Sequence, residues 1–164
     1  MKNVVKVSLI WIVLMVFTST VRANSDMFKQ YFKTYYTTGQ LQAEGWKMGT
    51  EKIGYWYFYH ENGKVASQGH FSNNRKNGYW YYFDIKGNKV SEGHFEANKK
   101  EQWWVEYDGN LKAKCQYEDG KKEGYCLKYQ NGKLFKAEKY QMGVKKGEWT
   151  DIPSFRRDNP NPEF

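Results

Sequence analysis

The sequence predicts an all-β protein, an elongated single-layer antiparallel meander of repeated β-hairpins, preceded by a signal-peptide helix. Three observations carry that prediction. An aromatic motif recurs along the chain at steps of 24, 24, 22 and 23 residues, the signature of a repeat architecture. The dipeptides Asn62-Gly63, Asp108-Gly109 and Asn131-Gly132 stand between the aromatic runs, and a tight hairpin turn needs the positive φ that they supply. Helical periodicity is missing after residue 24, whereas aromatics make up 19% of the chain and the three prolines fall at Pro153, Pro160 and Pro162. Aromatic side chains favour strands.

The first element is an export leader. Lys2 and Lys6 precede an apolar run from Val7 to Phe17, and Val21-Arg22-Ala23 supplies a small-residue cut site before Asn24. A charged start, a short apolar centre and a small residue at the cut describe a secretory signal peptide over 1–23. The run is shorter than the roughly 20 residues a spanning helix needs, and no cysteine follows the cut to take a lipid. The expected mature chain is therefore soluble, exported, and periplasmic or extracellular. Losing Lys2, Lys6 and Arg22 with no acid lowers the formal charge from +8 to +5, a mildly basic balance compatible with an anionic partner. A lead-in follows over 24–34, then a repeat domain over 35–150 of about five units, the first and last degenerate, and a Pro-containing tail over 151–164. That tail is expected to be loose or to cap the open end of the sheet.

Within the repeat domain, Gly54-Tyr55-Trp56-Tyr57-Phe58-Tyr59 returns as Gly78-Tyr79-Trp80-Tyr81-Tyr82-Phe83. It returns more weakly from Gln102 to Tyr107 and from Gly124 to Tyr129, and in part as Gly147-Glu148-Trp149. A turn glycine follows at Gly63, Gly87, Gly109 and Gly132, with Gly39 in the degenerate first unit, and an aromatic eight residues later at Phe71, Phe95, Tyr117 and Tyr140. Each unit reads as strand, tight turn, strand and short polar link, buried by its neighbours.

One spacing sets the expected register. Gly45, Gly69 and Gly93 each lie eleven positions before a tryptophan: Trp56, Trp80 and Trp104. On paired strands glycine and indole would sit opposite, the missing side chain making room for the ring. At the fourth junction both members change together, to Cys115 and Cys126, again eleven apart. Opposed residues of an antiparallel pair come close enough for a bridge, and an exported chain meets an oxidising compartment, so a Cys115–Cys126 disulfide is expected. Trp149 is expected at the same repeat position, with Glu138 in place of glycine.

Strand alternation then divides the side chains. One face takes Trp56, Phe58, Trp80 and Tyr82 with Val65, Ser67, Gly69 and Phe71, and reads as packed. The other takes Tyr55, Tyr57, Tyr59, Tyr79, Tyr81 and Phe83 with Ala66, Gln68, His70, Glu92, His94, Lys114 and Gln116. This second face has the composition of a partner platform, since phenol rings offer stacking area and a polar tip, though cross-strand aromatic pairs also stabilise a thin sheet. The links carry basic pairs, Arg75-Lys76, Lys99-Lys100, Lys121-Lys122 and Lys145-Lys146. Regular stacking would bring them to one edge, as contacts for an anionic surface or as ordinary edge protection.

The pattern Gly-Tyr-Trp-x-x-Tyr-x-x-Asn-Gly-Lys, followed by Gly-x-Phe/Tyr and Asn/Asp/Gly-x-x-Lys-x-Gly, resembles the bacterial variant of the MORN repeat from about Tyr35 to Trp149. The resemblance implies a meander of β-hairpins, and family members are often labelled antitoxin components, while related eukaryotic repeats are linked to membrane lipids and scaffolding. The chain departs from the pattern at Gln102, where the opening glycine is missing, and at Cys126, which replaces tryptophan. The leader argues against a cytoplasmic antitoxin role.

No catalytic or metal-binding motif stands out, and no cofactor is expected. His70 and His94 share a repeat position and read as face residues, and export argues against nucleic acid as a partner. The expected function is a non-catalytic protein-interaction or scaffold module of the cell envelope. The alternatives are binding of anionic lipid or polysaccharide through the basic edge, and an antitoxin- or immunity-like role against a secreted toxin.

Overall fold

The computed structural model describes residues 28–161, so the expected leader lies outside the described residues. Eleven strands follow one another: β1 (Lys29–Tyr35), β2 (Leu41–Met48), β3 (Glu51–Tyr59), β4 (Val65–Ser72), β5 (Arg75–Phe83), β6 (Lys89–Glu96), β7 (Lys99–Asp108), β8 (Leu111–Glu118), β9 (Lys121–Gln130), β10 (Lys133–Gln141) and β11 (Val144–Trp149). They form one open antiparallel sheet in chain order. The predicted lead-in is thus partly strand, since β1 begins at Lys29. A short helix, α1 (Ile152–Asp158), closes the described chain.

A single ladder runs across the whole sheet. Phe32, Gly45, Trp56, Gly69, Trp80, Gly93, Trp104, Cys115, Cys126, Glu138 and Glu148 are each the register partner of the next. The three expected Gly–Trp pairs are all present. A Cβ built on Gly45, Gly69 or Gly93 would overlap the indole of Trp56, Trp80 or Trp104. Each indole therefore lies flat on bare backbone, and all three are buried although no second layer covers them. Truncating one such ring costs about 3–5 kcal/mol in typical cores, a large share of any small domain's net stability.

A bulge makes the indole fit. At each of the four junctions from β2–β3 to β8–β9 the register shifts by two residues just before the Trp-type position. The residue opening the motif is left-handed there: Gly54 (φ +66°), Gly78 (φ +77°), Gln102 (φ +59°) and Gly124 (φ +85°). Gln102 is the one non-glycine among them, so the departure from the repeat pattern places a side chain in a conformation that costs about 1–2 kcal/mol. In the first three junctions the indole N–H bonds a carbonyl beside the shift: Trp56 Nε1 to Trp46 O at 2.9 Å, Trp80 Nε1 to His70 O at 3.1 Å, and Trp104 Nε1 to His94 O at 2.8 Å.

The last junction differs. Between β10 and β11 the register shifts by one residue, pairing Ala137 with Trp149 and Glu138 with Glu148. A one-residue change moves a side chain to the opposite face. Trp149 therefore does not extend the indole row as expected; it stands on the tyrosine side. A second correction concerns Val65, which a bulge between Phe58 and Tyr59 brings opposite Tyr59 and not into the tryptophan set.

Loop length explains the repeat steps. The loops after β3 and β5 close five-residue turns, with His60 N to Lys64 O at 2.8 Å and Asp84 N to Asn88 O at 2.9 Å. The β7–β8 and β9–β10 turns hold two residues between strands, which shortens the later units. On the opposite edge the polar links are two-residue turns such as Asn73-Asn74 and Ala97-Asn98, with both residues left-handed. These turns tie neighbouring units together. Lys52 N donates to Asn74 Oδ1 and Lys76 N to Asn98 Oδ1, each at 2.7 Å, while Asn74 N and Asn98 N return bonds to the same residues' carbonyls at 3.0 Å.

Candidate functional site

The two faces of the sheet have different chemistry. On the tryptophan face the rings interlock: Phe71 meets Trp80 edge-on at 5.1 Å, Phe95 meets Trp104 at 4.9 Å, and Tyr82 lies 6.2 Å from Trp80. Lysines close this layer from above. Lys52, Lys76 and Lys100 place their ammonium groups 4.9, 4.5 and 4.1 Å from the rings of Trp56, Trp80 and Trp104, a favourable cation–π geometry. Lys76 also donates to the Tyr82 hydroxyl at 2.8 Å. Burial lowers the pKa of Lys52 and of Lys76 and pushes the Tyr82 phenol up to about 12.

The tyrosine face is open over the first units. Tyr55, Tyr57 and Tyr79 are exposed, and Tyr59, Tyr81 and Phe83 are half-buried. Tyr55 and Tyr57 lie 5.2 Å apart and Tyr79 and Tyr81 5.1 Å apart, tilted rather than stacked. Register places Gln68 opposite Tyr57, His70 opposite Tyr55, Glu92 opposite Tyr81 and His94 opposite Tyr79, as the alternation predicts. Two carboxylates are fixed among the rings. Tyr59 Oη donates to Glu44 Oε1 at 2.7 Å, and Tyr107 Oη to Glu92 Oε1 at 2.5 Å. The Tyr59 hydrogen bond holds Glu44 below the usual carboxylate range. For Glu92 burial works upward, but hydrogen bonds from Lys89 and Tyr107 together outweigh it and hold the group low.

At the far end the same face is covered by the chain itself. Asp151 caps α1, its Oδ1 accepting from Ser154 N at 2.8 Å, and Pro153 stands in the first turn where a missing N–H is harmless. Phe155 packs on Tyr125, Leu127 and Ala137, its ring edge-on to Tyr125 at 5.6 Å and to the displaced Trp149 at 5.4 Å. Tyr125 Oη donates to Asn159 Oδ1 at 2.7 Å, and Trp149 Nε1 to Asp158 Oδ2 at 2.9 Å. The predicted tail is thus a capping helix over its first half. The signal for it was the stretch Asp151-Ile152-Pro153-Ser154, an N-cap followed by an early proline.

The basic pairs do line one edge, because every second turn falls on the same side of the meander. Their side chains part company. Lys76 and Lys100 fold onto the tryptophan face, and Lys122 lies 5.1 Å from the Tyr140 ring. Lys99 pairs with Asp119, and Lys145 with Glu148 at 2.6 Å and buried Glu138 at 3.7 Å. Arg75, Lys121 and Lys146 are exposed.

Cys115 and Cys126 are bonded, on opposed positions of β8 and β9. Among the described residues no group of three or more His, Cys, Asp or Glu side chains could hold a metal ion. His60 Nε2 is 3.0 Å from Phe83 O, and the His94 ring stands 6.4 Å from that of Tyr79. No helix among the described residues is long and apolar enough to cross a membrane. A scan against protein-family models finds no match to this chain, and no curated protein is significantly similar to it.

Proposed function

We propose that this chain is an exported, non-catalytic repeat protein of the bacterial MORN type that acts in the cell envelope as a protein-interaction module. Its working surface in this reading is the open tyrosine face. The observation that carries it is the contrast along one column of equivalent positions: Tyr55 and Tyr79 face solvent, whereas Tyr125 is buried under α1. Exposed tyrosines on a rigid sheet supply contact area at low conformational cost. The leader pattern over 1–23 and the Cys115–Cys126 bridge support export.

The test is affinity capture from envelope extracts with wild type and with a Tyr55→Ser/Tyr79→Ser variant side by side. A specific partner retained by wild type and lost about tenfold or more in the variant is expected. Capture that is indifferent to these tyrosines overturns the reading.

A second reading, attraction to anionic lipid or polysaccharide, is favoured by the exposed Arg75, Lys121 and Lys146 along one edge. Neutralising those three should then abolish salt-sensitive binding to anionic vesicles or glycans; binding that survives their neutralisation rejects it.

A further inference from the structure

The two edges of the sheet are built differently. At β11, Lys145 pairs with Tyr140 and Gly147 with Lys139, which leaves Lys146 as the extra residue of a bulge. A bulge and adjacent lysines protect an edge against a further strand. At β1 the strand is not interrupted. Among the described residues it pairs with β2 alone. The irregularity between Thr34 and Tyr35 leaves its extra residue, Gln42, on β2, and no residue of β1 is left-handed. Seven residues, Lys29–Tyr35, thus offer one regular outer edge, with the row of backbone donors and acceptors that templates pairing.

Lysines on such an edge ordinarily repel a second strand. Here both turn inward over their own sheet: Lys29 Nζ lies 4.4 Å from the Trp46 ring and Lys33 Nζ 3.3 Å from Glu44 Oε2. Tyr31 and Tyr35 stay exposed. Phe32 heads the ladder of Gly45 and Trp56 and packs against the core cluster, with a strand on one side of it only.

The sequence of β1 complements itself when reversed. Set antiparallel about Phe32, Lys29 falls opposite Tyr35, Gln30 opposite Thr34, Tyr31 opposite Lys33, and Phe32 opposite Phe32. A tyrosine ring meets a lysine chain, an amide meets a hydroxyl, and ring meets ring. Alternation puts the lysines and tyrosines on the tyrosine face and Gln30, Phe32 and Thr34 on the tryptophan face, so opposed residues share a face. The register is also selective. Sliding one strand by two residues sets Lys29 against Lys33 in one direction and Lys33 against Lys33 in the other.

We propose that β1 is a self-pairing edge, through which two copies of the mature chain join antiparallel about a two-fold axis at Phe32, perpendicular to the sheet. The contact is isologous and closes on itself. It is strand addition to an open edge, with a second copy as the occupant. It joins two sheets into one and keeps both tyrosine faces on the same side. It does not depend on what those faces bind.

Seven residues a side lie at the small end of stable interfaces. Sedimentation of the mature chain between about 1 µM and about 1 mM should therefore show a reversible monomer–dimer equilibrium. Tyr35→Lys sets two lysine pairs against each other and Tyr35→Glu two opposite charges, so Tyr35→Glu should dimerise about tenfold more tightly than Tyr35→Lys. The same two changes at Ile85, exposed in the turn after β5, alter net charge equally and should leave the dissociation constant unchanged. Register is read by cross-linking, since the native cysteines are already bonded to each other. Mixed Gln30→Cys and Thr34→Cys chains should form a 30–34 disulfide on mild oxidation, and neither chain alone should. A chain that stays monomeric throughout that range overturns the proposal. So does a dimer that answers to Tyr35 no differently than to Ile85, or one without the 30–34 cross-link.

Discussion

At the scale of single residues, the unusual feature is that glycine and not a large side chain decides the core. Trp56, Trp80 and Trp104 are buried in a sheet with no second layer because each ring rests on a neighbouring strand's bare backbone. Gly69→Ala should therefore cost about 1–3 kcal/mol, the usual range for overpacking, even though alanine is the better strand former. Gly63, in an open turn with nothing near its α-carbon, should lose about 1–2 kcal/mol on the same change through backbone strain alone. Urea unfolding of both variants checks the mechanism: the indole fluorescence of folded Gly69→Ala should shift, since its ring is lifted from the backbone, while that of Gly63→Ala should match wild type. This contact was legible in the sequence because the spacing of eleven repeats three times. The lysines above the rings were not, since a basic pair in a turn gives no sign of which member folds inward.

At the scale of elements, the hairpin is the unit and its bulge sets which face each ring takes. The fourth junction tests that rule. Cys115 and Cys126 occupy the glycine and tryptophan positions of the ladder, and the left-handed Gly124 preserves the bulge. A Cys115→Gly/Cys126→Trp variant should build the glycine–indole contact of the other junctions and prove more stable than Cys115→Ala/Cys126→Ala, which loses both the bridge and the ring. The bridge itself contributes about 2–3 kcal/mol for so short a loop; equal denaturant midpoints for the two double variants would contradict the equivalence. The joint change of both residues made the pairing readable in advance. The fate of Trp149 was not readable. Its junction carries Glu138 where the others carry glycine or cysteine, Gly147 is not left-handed, and the shift is one residue instead of two. The missing glycine announces that the indole has lost its bare backbone but not where the ring goes; the changed shift turns Trp149 toward Phe155 and lets α1 seat itself.

At the scale of the whole molecule, strand order equals chain order, so each unit contacts its neighbours alone. The fold class was readable because periodicity survives sequence drift. The site was only half readable, since alternation identified the tyrosine face while its covering by α1 depends on a tertiary contact. The density of phenols gives the molecule a marked alkaline limit. Burial holds Tyr82 up at about 12, and burial is likewise the main cause raising Tyr31, Tyr55, Tyr79, Tyr107, Tyr117 and Tyr140. A group whose folded pKa is raised contributes stability that is complete below its unfolded value, near 10, and is lost as pH climbs toward the folded one. The lowered Lys52 and Lys76 act in the opposite sense, because the folded sheet disfavours their charged forms. Unfolding should therefore set in above about pH 10, with tyrosinate absorbance and loss of the near-ultraviolet dichroism rising together. Ionisation of Tyr82 near pH 10 in an intact fold would refute this.

The same chain-ordered topology determines how the protein would respond to tension. Pulled by its two ends, a meander opens like a zipper, since the load falls on one strand pair at a time and never shears a whole ladder at once. Resistance would be low and graded, strand after strand, until the force reached β8 and β9. There the covalent link between Cys115 and Cys126 withholds the turn they enclose, shortening the fully drawn chain by on the order of 30 Å. A chain of this design would behave as a compliant tether whose reach depends on whether that link is intact.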